Sequence, residues 1–458
     1  MTLHIRCGRL FDGLAADVKQ DQTIVVDNGL LSYVGPTASA PTAEDGDEVV
    51  DHAKEFVMPG LVDFHTHLAY GNAKTEEDID IYAPVEFRAL RGMFMAQRVL
   101  RAGYTSICNP GDAGRITPSI RDAINANMFV GPRITTAGPY VTSRQGLTDW
   151  YPTWIGQPES SIGHVVRSPD EAIEEIRCQV KDGVDVIKLA MDGDLTLQPA
   201  GVARGRGLIA AFNQDETTRM TEEGHRLGKR VLAHARGKEA TLYSARAGVD
   251  VIFHASWMDD ECLDAILESG TALCPTLTLL VNNYEFSQPT DKAGQGWFEA
   301  SKAEAEIAFE GLAKAYKAGV PMLTGSEAGF AITPYGEWHA KEIKIFVDYL
   351  GMTPAEALRC ATSVSGSYLI DGDRVGALEA GRHADIVAFD GDPLADVGQL
   401  LDRDRFKAIY LGGEAVEIAT RKVDQGKITD FSYNMWSDLY TQERVDQLAD
   451  AVRSIAAE

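Results

Sequence analysis

The stretch Phe56-Val57-Met58-Pro59-Gly60-Leu61-Val62-Asp63-Phe64-His65-Thr66-His67 decides the fold. It is a short apolar run that ends in two histidines separated by one residue. Because successive side chains of an extended strand alternate between faces, His65 and His67 are expected to point in the same direction. Two imidazoles on one face at a strand end make half of a metal site. Such a short motif is weak evidence alone, so its context in the chain decides.

The composition is that of an ordinary globular protein. The chain has 458 residues, of which 45% are hydrophobic and 24% are charged. Its 43 basic and 68 acidic residues give a net charge of -25, which argues against nucleic acid or an anionic membrane as a partner. No secretory signal is visible, and no apolar run approaches the roughly 18 residues of a membrane span. We therefore expect a cytoplasmic protein that acts on a small molecule.

Strand-like and helix-like patterns alternate through the middle of the chain. After the opening strand, apolar strand-like runs occur at residues 105–108, 133–137, 184–189, 230–234, 249–254, 271–276 and 320–324. Helical patterns lie between most of them, at residues 86–101, 170–181, 215–227, 259–268 and 300–317. A glycine stands just before the next strand in several units, as at helix C-termini: Gly103, Gly183, Gly228, Gly248, Gly270 and Gly319. Eight such units predict an α/β fold, a (β/α)8 barrel of the TIM type.

The two ends of the chain have hairpin-like patterns instead. Short strands flank a turn near residue 28, and similar patterns return at residues 374–379, 384–390 and 406–411. We expect residues 1–56 and 363–423 to form one small β-sandwich beside a barrel of residues 57–362. Residues 424–458 are expected to be a helical extension that packs on the body or on a partner subunit of a homo-oligomer. Two long connections, residues 138–168 and 279–296, are expected to be functional loops.

Ionisable residues follow the ends of several predicted strands. They are His65 and His67 after the first strand, Lys188 after the fourth, His234 after the fifth, His254 after the sixth and Glu327 after the eighth. In barrels of this type the active site lies at the C-terminal ends of the strands, so these groups should converge on one rim. Each alone has an ordinary explanation, such as pairing of Lys188 with Asp192 or Asp194. Together, four imidazoles and a carboxylate are a donor set for a zinc-like divalent ion.

The chain resembles the amidohydrolase superfamily, in particular its imidazolonepropionase-like and prolidase-like metal-dependent hydrolases. The resemblance extends to about residue 415. It includes the opening motif at residues 59–67, the Ile187-Lys188 strand, the Ala233-His234-Ala235 strand, and Phe253-His254. It also includes the late run at residues 381–387 with Gly391-Asp392-Pro393, which fits the returning β-sandwich.

The resemblance implies a centre of two divalent metal ions, with zinc first and manganese or cobalt as alternatives. His65 and His67 would hold the more buried ion, and His234 and His254 the more exposed one. Lys188 would carry a carbamate derived from CO2 and bridge both ions. An unmodified ammonium would repel two cations, whereas a lysine carbamate is an anionic bidentate ligand.

The resemblance also implies the chemistry and the role of the acid after strand eight. A metal-bridging hydroxide would attack the substrate, and the acid would pass a proton to the leaving nitrogen. The superfamily usually has Asp within Gly-Thr-Asp-Ala-Gly, whereas this chain has Gly325-Ser326-Glu327-Ala328-Gly329. The extra methylene leaves three readings of Glu327 open. It acts as the base and ligand in an adjusted site, binds metal differently, or alters metal occupancy.

The substrate-binding residues are less well defined by the sequence. Peptide-cleaving relatives often have a Tyr after strand four that polarises the scissile carbonyl, and near that place this chain has Phe212, which lacks a hydroxyl. Tyr140 or His164 are the candidates to replace it. Trp150 and Trp154 in the first long connection favour an apolar or aryl group, although plain packing explains them equally well. A carboxylate on the substrate would need a cationic clamp, for which Arg144, Arg204 and Arg206 are candidates.

Three functions are consistent with these residues. The first is metal-dependent hydrolysis of a C–N bond in a small amide, of the dipeptide or N-acyl amino acid type. The second is hydrolysis of aryl or alkyl amides, ureas or (thio)carbamates, including xenobiotics. The third, motivated by Glu327, is a metal-binding homologue with weak or lost catalysis.

Overall fold

The structure is a computed structural model that describes residues 2–193, 208–286, 297–417, 423–428 and 437–448. Its strands are β1 (Leu3–Leu10), β2 (Lys19–Asp27), β3 (Leu30–Pro36), β4 (Glu48–Pro59), β5 (Leu61–Asp63), β6 (Tyr104–Asn109), β7 (Arg133–Thr136), β8 (Tyr140–Ser143), β9 (Gly163–Val166), β10 (Val186–Ala190), β11 (Arg230–Ala235), β12 (Val251–His254), β13 (Ala272–Cys274), β14 (Ile386–Phe389), β15 (Phe406–Leu411) and β16 (Glu414–Ala415). Its α-helices are α1 (Glu76–Asp80), α2 (Val85–Arg101), α3 (Ile116–Asn125), α4 (Pro169–Lys181), α5 (Gln214–Arg226), α6 (Lys238–Arg246), α7 (Asp260–Ser269), α8 (Leu277–Phe286), α9 (Trp297–Lys317), α10 (Lys341–Leu350) and α11 (Pro354–Arg359).

The two ends of the chain pair into one β domain, as predicted. Its strands form a seven-stranded mixed sheet in the order β16-β15-β14-β4-β1-β2-β3. β1 and β4 are parallel, and the other neighbouring strands are antiparallel. Strand β4 continues to Pro59 and leads directly into β5, the first strand of the barrel. The β domain therefore positions the His-X-His segment through a continuous stretch of extended chain.

The barrel wall consists of two parallel sheets that backbone hydrogen bonds join into a ring. One sheet is β5-β6-β7, and the other has the order β13-β12-β11-β10-β8-β9. At one junction the Asp185 N–H donates to the Thr136 carbonyl (2.8 Å). At the other, the Leu323 N–H donates to Leu273 (2.7 Å) and the Phe64 N–H donates to Thr324 (2.8 Å). The ring confirms the predicted (β/α)8 barrel.

Four local predictions differ from the structure. Residues 279–286, expected to begin the second long loop, belong to helix α8. Residues 320–324 occupy the place of the eighth strand but form only one β-bridge, between Met322 and Leu273. Residues 374–379 form no strand. Gly376 has a φ of 74°, and a Cβ at this position would lie 2.4 Å from the Thr362 carbonyl oxygen. The connection 138–168 contains two short strands, β8 and β9, and β8 pairs with β10 through Val141.

The helices surround the barrel, and the five predicted ones, α2, α4, α5, α7 and α9, begin and end within three residues of the predicted bounds. Side chains of Ser168, Asn213 and Asp259 accept hydrogen bonds at the N-termini of α4, α5 and α7. The six glycines predicted after helices all have positive φ angles, and Gly270 is the left-handed C-cap of α7. None of the described helices is long and apolar enough to cross a membrane.

The C-terminal extension packs on the body of the barrel. Residues 442–448 are helical, and the rest of the predicted helix, together with residues 287–296 of the second long connection, lies outside the described residues. Tyr440 and Val445 pack in an apolar cluster with Leu279 and Ile332. The indole N–H of Trp338 donates to the Tyr440 carbonyl at 2.8 Å. This segment therefore supports the loop that follows Glu327.

Candidate metal centre and active site

The His-X-His pair lies at the carboxyl end of β5 with both rings buried. His65 Nδ1 is 2.9 Å from Thr276 Oγ1, and His67 Nδ1 is 2.9 Å from the Gly111 carbonyl oxygen. Burial lowers the pKa of His65 well below its usual value and that of His67 to about 3, so both rings are neutral. Since a carbonyl accepts but cannot donate, His67 carries its hydrogen on Nδ1. Its Nε2 lone pair is then available to a ligand.

Asp63 links the two segments of chain that carry the first histidines and the acid. Its Oδ1 accepts from the backbone N–H groups of His65 (2.9 Å) and Ser326 (3.1 Å). Its Oδ2 lies 2.5 Å from both Ser326 Oγ and His339 Nδ1. The Gly336 N–H donates to the other ring nitrogen of His339 at 2.9 Å. A hub of this kind holds metal ligands in fixed relative positions.

Lys188 is fully buried on β10 with its amine in an apolar and aromatic environment. Nζ lies 3.4 Å from the ring centroid of Phe253 and 5.7 Å from that of Tyr140. Among the described residues Nζ has no hydrogen-bond partner, so the alternative of pairing with Asp192 does not occur, and Asp194 lies outside the described residues. Burial lowers the pKa of the Lys188 amine to about 7. A buried, unpartnered amine with a pKa of about 7 is neutral in about half of the molecules at pH 7, which fits a lysine that is modified or binds metal.

The second pair of histidines comes from β11 and β12. His234 Nδ1 is 3.1 Å from His254 Nε2, and burial lowers the pKa of both rings well below the usual value. Asp192, two residues beyond β10, places Oδ1 at 3.3 Å from His234 Nε2. Burial raises the pKa of Asp192 to about 7, while its Oδ2 accepts backbone N–H groups of Arg236 and Gly237. Asp192 thereby orients the end of β11.

Glu327 enters the same space from the loop that completes the ring. Its backbone N–H donates to the His65 carbonyl at 2.7 Å, which fixes it beside the first histidines. Its Oε2 lies 3.9 Å from Arg236 Nη2. The other end of the Arg236 guanidinium donates to Glu304 Oε1 at 2.7 Å, and Ser256 Oγ donates to the same oxygen at 2.6 Å. Arg236 is therefore a buried cation between two carboxylates.

Three of the six predicted ligands, His65, His254 and Glu327, form one cluster. One ligand atom each from His65, His254 and Glu327 lies within 4.8 Å of the others. The ring centroids of His65 and His67 are 4.9 Å apart, and those of His234 and His254 are 4.7 Å apart. Neutral imidazoles, a carboxylate and a neutral amine in one buried space are the donors that divalent transition metals take. Glu327 reaches the cluster despite its extra methylene, so the residues present fit a divalent centre.

The predicted substrate-binding residues form two groups, those that lie in or against the core and those that are exposed to solvent. Tyr140 is buried with its hydroxyl 3.2 Å from His67 Nε2. Phe212 is buried in the barrel core, and Trp150 packs against that core. His164 is partly exposed and its Nδ1 lies 3.4 Å from Glu175, and Trp154 is 84% exposed.

The candidate clamp residues are not all described by the structure. Arg144 is exposed, and Arg204 and Arg206 lie outside the described residues.

Several site residues were missed by sequence reasoning. Asp192 and Arg236 stand just beyond strand ends, so the rule that found Lys188 and His234 also points to them. Asp63 and His339 are 276 positions apart in the chain, and Tyr70 is not on a strand. Their contribution depends on contacts that no local pattern shows.

A (β/α)8 barrel with buried histidines, a lysine and an acid at the carboxyl ends of its strands defines a class of barrel hydrolases. A model of the Amidohydrolase family matches residues 56–416, so the chain belongs to this family. It is an enzyme, an amidohydrolase that acts on carbon–nitrogen bonds.

Relatives with similar sequences and structures agree with this family. Ochratoxinase from Aspergillus niger is 26% identical over 418 residues, which cover 86% of this chain and 82% of that protein. The crystal structure of a Xaa-Pro dipeptidase with bound methionine in its active site has a TM-score of 0.79 and 26% identity, covering 91% of this chain and 100% of that one. A putative prolidase from Bifidobacterium longum has a TM-score of 0.78 and 26% identity, covering 98% of each chain.

Proposed function

We propose that this chain is a metal-dependent hydrolase that cleaves the C–N bond of a small amide, of the dipeptide or N-acyl amino acid type. The observation that carries the proposal is the set of buried neutral imidazoles that meets Glu327 and the unpartnered amine of Lys188 at one end of the barrel. No purely structural role requires so many neutral donors in one buried space. The solved relatives described as a Xaa-Pro dipeptidase and a putative prolidase support the substrate type.

Each ligand has a defined place in the proposed centre. His65 and His67 would hold one divalent ion, and His234 and His254 a second one. Lys188 would bridge the two as a carbamate formed with CO2. Its pKa of about 7 supports this role, since the neutral amine is the form that reacts with CO2. Zinc is the most suitable metal for this donor set, with manganese and cobalt as alternatives.

Glu327 and Arg236 would then control the transfer of the proton to the leaving group. Bound divalent ions would lower the pKa of a water molecule, so that it becomes a nucleophile at neutral pH. Glu327 would be both a ligand and the catalytic base. Its carboxylate would accept the proton of that water and donate it to the leaving nitrogen. Arg236, 3.9 Å from Glu327 Oε2, keeps this carboxylate oriented towards the centre. Burial of all four rings excludes bulk water from the reacting groups.

A second candidate substrate is an aryl or alkyl amide, urea or (thio)carbamate, including xenobiotics. The aromatic side chains of Tyr140 and Phe212, which are buried, and of Trp150, which is partly buried, favour it, because they supply an apolar surface for a flat group. The relative named ochratoxinase, at 26% identity, is consistent with either class.

The test is turnover of a panel by metal-free and metal-loaded protein. The panel contains dipeptides, N-acyl amino acids, anilides, aryl ureas and carbamates. We expect chelation to abolish activity, zinc, manganese or cobalt to restore it, and Lys188→Ala to stay inactive after reconstitution. Lys344→Ala, which removes an exposed lysine paired with Asp348, is the matched control and should behave as wild type.

Two outcomes would count against the proposal. Full activity without metal would exclude a metal-dependent reaction. Tight binding of metal with no turnover of any panel member would favour the third function, a metal-binding homologue with weak or lost catalysis.

A further inference from the structure

A buried carboxylate oxygen and a buried ring nitrogen face each other beside the candidate metal centre. Asp192 Oδ1 lies 3.3 Å from His234 Nε2. Asp192 is 0% exposed and His234 is 4% exposed. Neither of these two atoms has a hydrogen-bond partner among the described residues. Because buried polar atoms of native proteins are almost always hydrogen-bonded, each of the two atoms is the natural partner of the other.

The backbone holds Asp192 against the end of β11. Its other oxygen, Oδ2, accepts from the backbone N–H groups of Arg236 (2.8 Å) and Gly237 (2.7 Å). The Leu147 N–H donates to the Asp192 carbonyl at 3.1 Å. Since one carboxylate oxygen and the main chain are both fixed, the remaining oxygen, Oδ1, is held beside the His234 ring.

The other nitrogen of the His234 ring faces a second histidine. His234 Nδ1 lies 3.1 Å from His254 Nε2. Two imidazole nitrogens that bind one zinc ion at about 2.0 to 2.1 Å in tetrahedral geometry are about 3.3 Å apart, so this pair has the spacing of two ligands of one ion. The two nitrogens of an imidazole point away from each other. Asp192 therefore lies on the side of the ring that faces away from the proposed ion.

A metal ion on His234 Nδ1 would determine where the hydrogen of this ring lies. A neutral imidazole carries one hydrogen, and the nitrogen that binds an ion carries none. With an ion on Nδ1 the hydrogen is on Nε2, where Asp192 Oδ1 can accept it. A carboxylate in this position selects the tautomer that binds metal and fixes the orientation of the ring.

We propose that Asp192 is a positioning residue that accepts the Nε2 hydrogen of His234 and thereby keeps Nδ1 free for a divalent ion. The inference rests on the metal centre of the proposed hydrolase and deepens it, because it assigns the group that orients one of the ligands.

A purely structural role of Asp192 predicts a different response to mutation. In that role Asp192 acts through Oδ2 and the N–H groups of Arg236 and Gly237, and the oxygen of an Asn amide replaces Oδ2 well. In the proposed role Asn is the more harmful replacement. Its oxygen accepts the backbone N–H groups, so its NH2 group faces His234 Nε2 and donates to it. The ring hydrogen then lies on Nδ1, the nitrogen that the ion needs.

The experiment titrates metal-free protein with cobalt(II) in bicarbonate buffer and follows the visible absorption of the bound ion. Wild type should bind two ions. Asp192→Asn should weaken the binding of one of them about 10- to 100-fold and have little effect on the other. Asp192→Ala leaves both tautomers of His234 accessible, so it should weaken the same ion only about three- to tenfold.

The matched control is Asp250→Asn. Asp250 Oδ2 lies 2.9 Å from His225 Nε2 and accepts from the backbone N–H of Val231 at 2.7 Å, near the start of β11. The same change from carboxylate to amide is therefore made in a second Asp–His pair beside the same strand, at the end away from the centre. Both cobalt affinities of this variant should equal those of wild type.

Urea unfolding of the metal-free proteins shows whether each variant is folded. If Asp192→Ala does not fold, the comparison of Asp192→Asn with wild type and Asp250→Asn still decides.

The outcomes separate the two proposals. Binding of both ions by Asp192→Asn as tightly as by wild type would overturn the role of Asp192 and leave the hydrolase proposal standing. Binding by Asp192→Ala that is as weak as or weaker than binding by Asp192→Asn would also overturn it, because selection of the His234 tautomer would then play no part. Wild type that binds no cobalt would overturn the proposal of a metal-dependent hydrolase and this inference with it.

Discussion

Several residues of the candidate centre adopt backbone conformations that L-amino acids rarely take. His254, Ala255, Thr276 and Glu327 have φ angles of 74°, 52°, 57° and 55°. Each costs of the order of 1–3 kcal/mol and persists only where the surroundings fix it. For Glu327 the surroundings are clear, since its N–H donates to His65 and its carbonyl accepts from Thr333 Oγ1 at 2.7 Å. The backbone therefore aims the ligand side chains before any ion binds.

Shortening Glu327 by one methylene tests whether its position matters. Glu327→Asp should lower kcat about 100-fold, because a displacement of about 1 Å costs that much when backbone position is fixed. Glu327→Gln should lose more, since an amide cannot accept the proton. Steady-state kinetics on the hydrolysed panel compound, with metal content measured in parallel, check both.

Turnover by Glu327→Asp at or above the wild-type rate would contradict an active site adjusted to Glu. Equal background rates in wild type, Glu327→Asp and Glu327→Gln would instead indicate that catalysis has been lost.

At the level of elements, helix α9 supports the acid through a buried ionic chain. Glu304 on α9 is 2% exposed and accepts from both Arg236 and Ser256. Glu304→Gln keeps the shape but removes the carboxylate charge 2.7 Å from the Arg236 guanidinium, so we expect a loss of about 3 kcal/mol in unfolding free energy. Glu310→Gln on the same helix is the matched control, because Glu310 pairs with Lys314 in solvent, and it should have no measurable effect.

Urea unfolding followed by circular dichroism measures both variants. Equal stability of the Glu304→Gln variant and the Glu310→Gln control would mean that the buried chain adds nothing to the fold.

Some elements could be predicted from local sequence signals, and others could not. Helices α4, α5 and α7 were predictable because capping side chains and glycines are local signals. The ligand positions could be predicted from one rule, that the active site of such a barrel lies at the C-terminal ends of its strands. The single bridge at Met322 and the absence of a strand at residues 374–379 were not predictable, since apolar runs do not reveal whether a neighbouring strand is in register. The Asp63–His339 contact and the contact of the Tyr140 hydroxyl with the His67 ring depend on tertiary packing alone.

The start of helix α8 depends on an acid from another helix. Glu342 on α10 accepts from the backbone N–H groups of Leu277 (3.0 Å) and Thr278 (2.7 Å). The adjacent Thr276 holds His65 Nδ1, so this contact also supports the centre. Burial raises the pKa of Glu342 from 4.5 to about 7. Between these values the folded state binds more protons than the unfolded state, so this group's stabilising effect is lost as the pH rises through 7.

Replacing Glu342 by Gln should remove that pH dependence. The unfolding free energy of Glu342→Gln minus that of wild type should rise by about 2 to 3 kcal/mol between pH 5 and pH 8. Urea unfolding at a series of pH values measures this difference. The contributions of groups that titrate alike in both proteins cancel in it. Parallel curves for variant and wild type would show that Glu342 has an ordinary pKa, and Glu310→Gln should follow wild type throughout.

At the level of the whole molecule, the β domain and the barrel share an apolar cluster and an ion pair whose carboxylate is buried. Phe56 of β4 and Phe389 of β14 belong to the same cluster as barrel residues such as Tyr104. Arg133 at the start of β7 donates from Nε (2.7 Å) and Nη2 (3.0 Å) to the carboxylate of Asp385, next to β14. Because apolar packing is continuous across the junction, we expect the two domains to unfold together.

Asp385→Asn tests the contribution of the ion pair to this junction. The amide turns a donor towards Arg133 and leaves its charge without a partner, so we expect a loss of about 2 to 3 kcal/mol, less than for a fully buried pair because Arg133 is partly exposed. The Trp residues in the described part of the chain lie outside the β-sheet domain, so we use Trp fluorescence as a probe of the barrel and far-ultraviolet circular dichroism as a probe of both domains. Both probes should shift to lower urea together, because the shared cluster still joins the domains. Separate transitions would show that the ion pair, rather than the apolar cluster, couples them, and Asp348→Asn, in an exposed pair, should unfold as wild type.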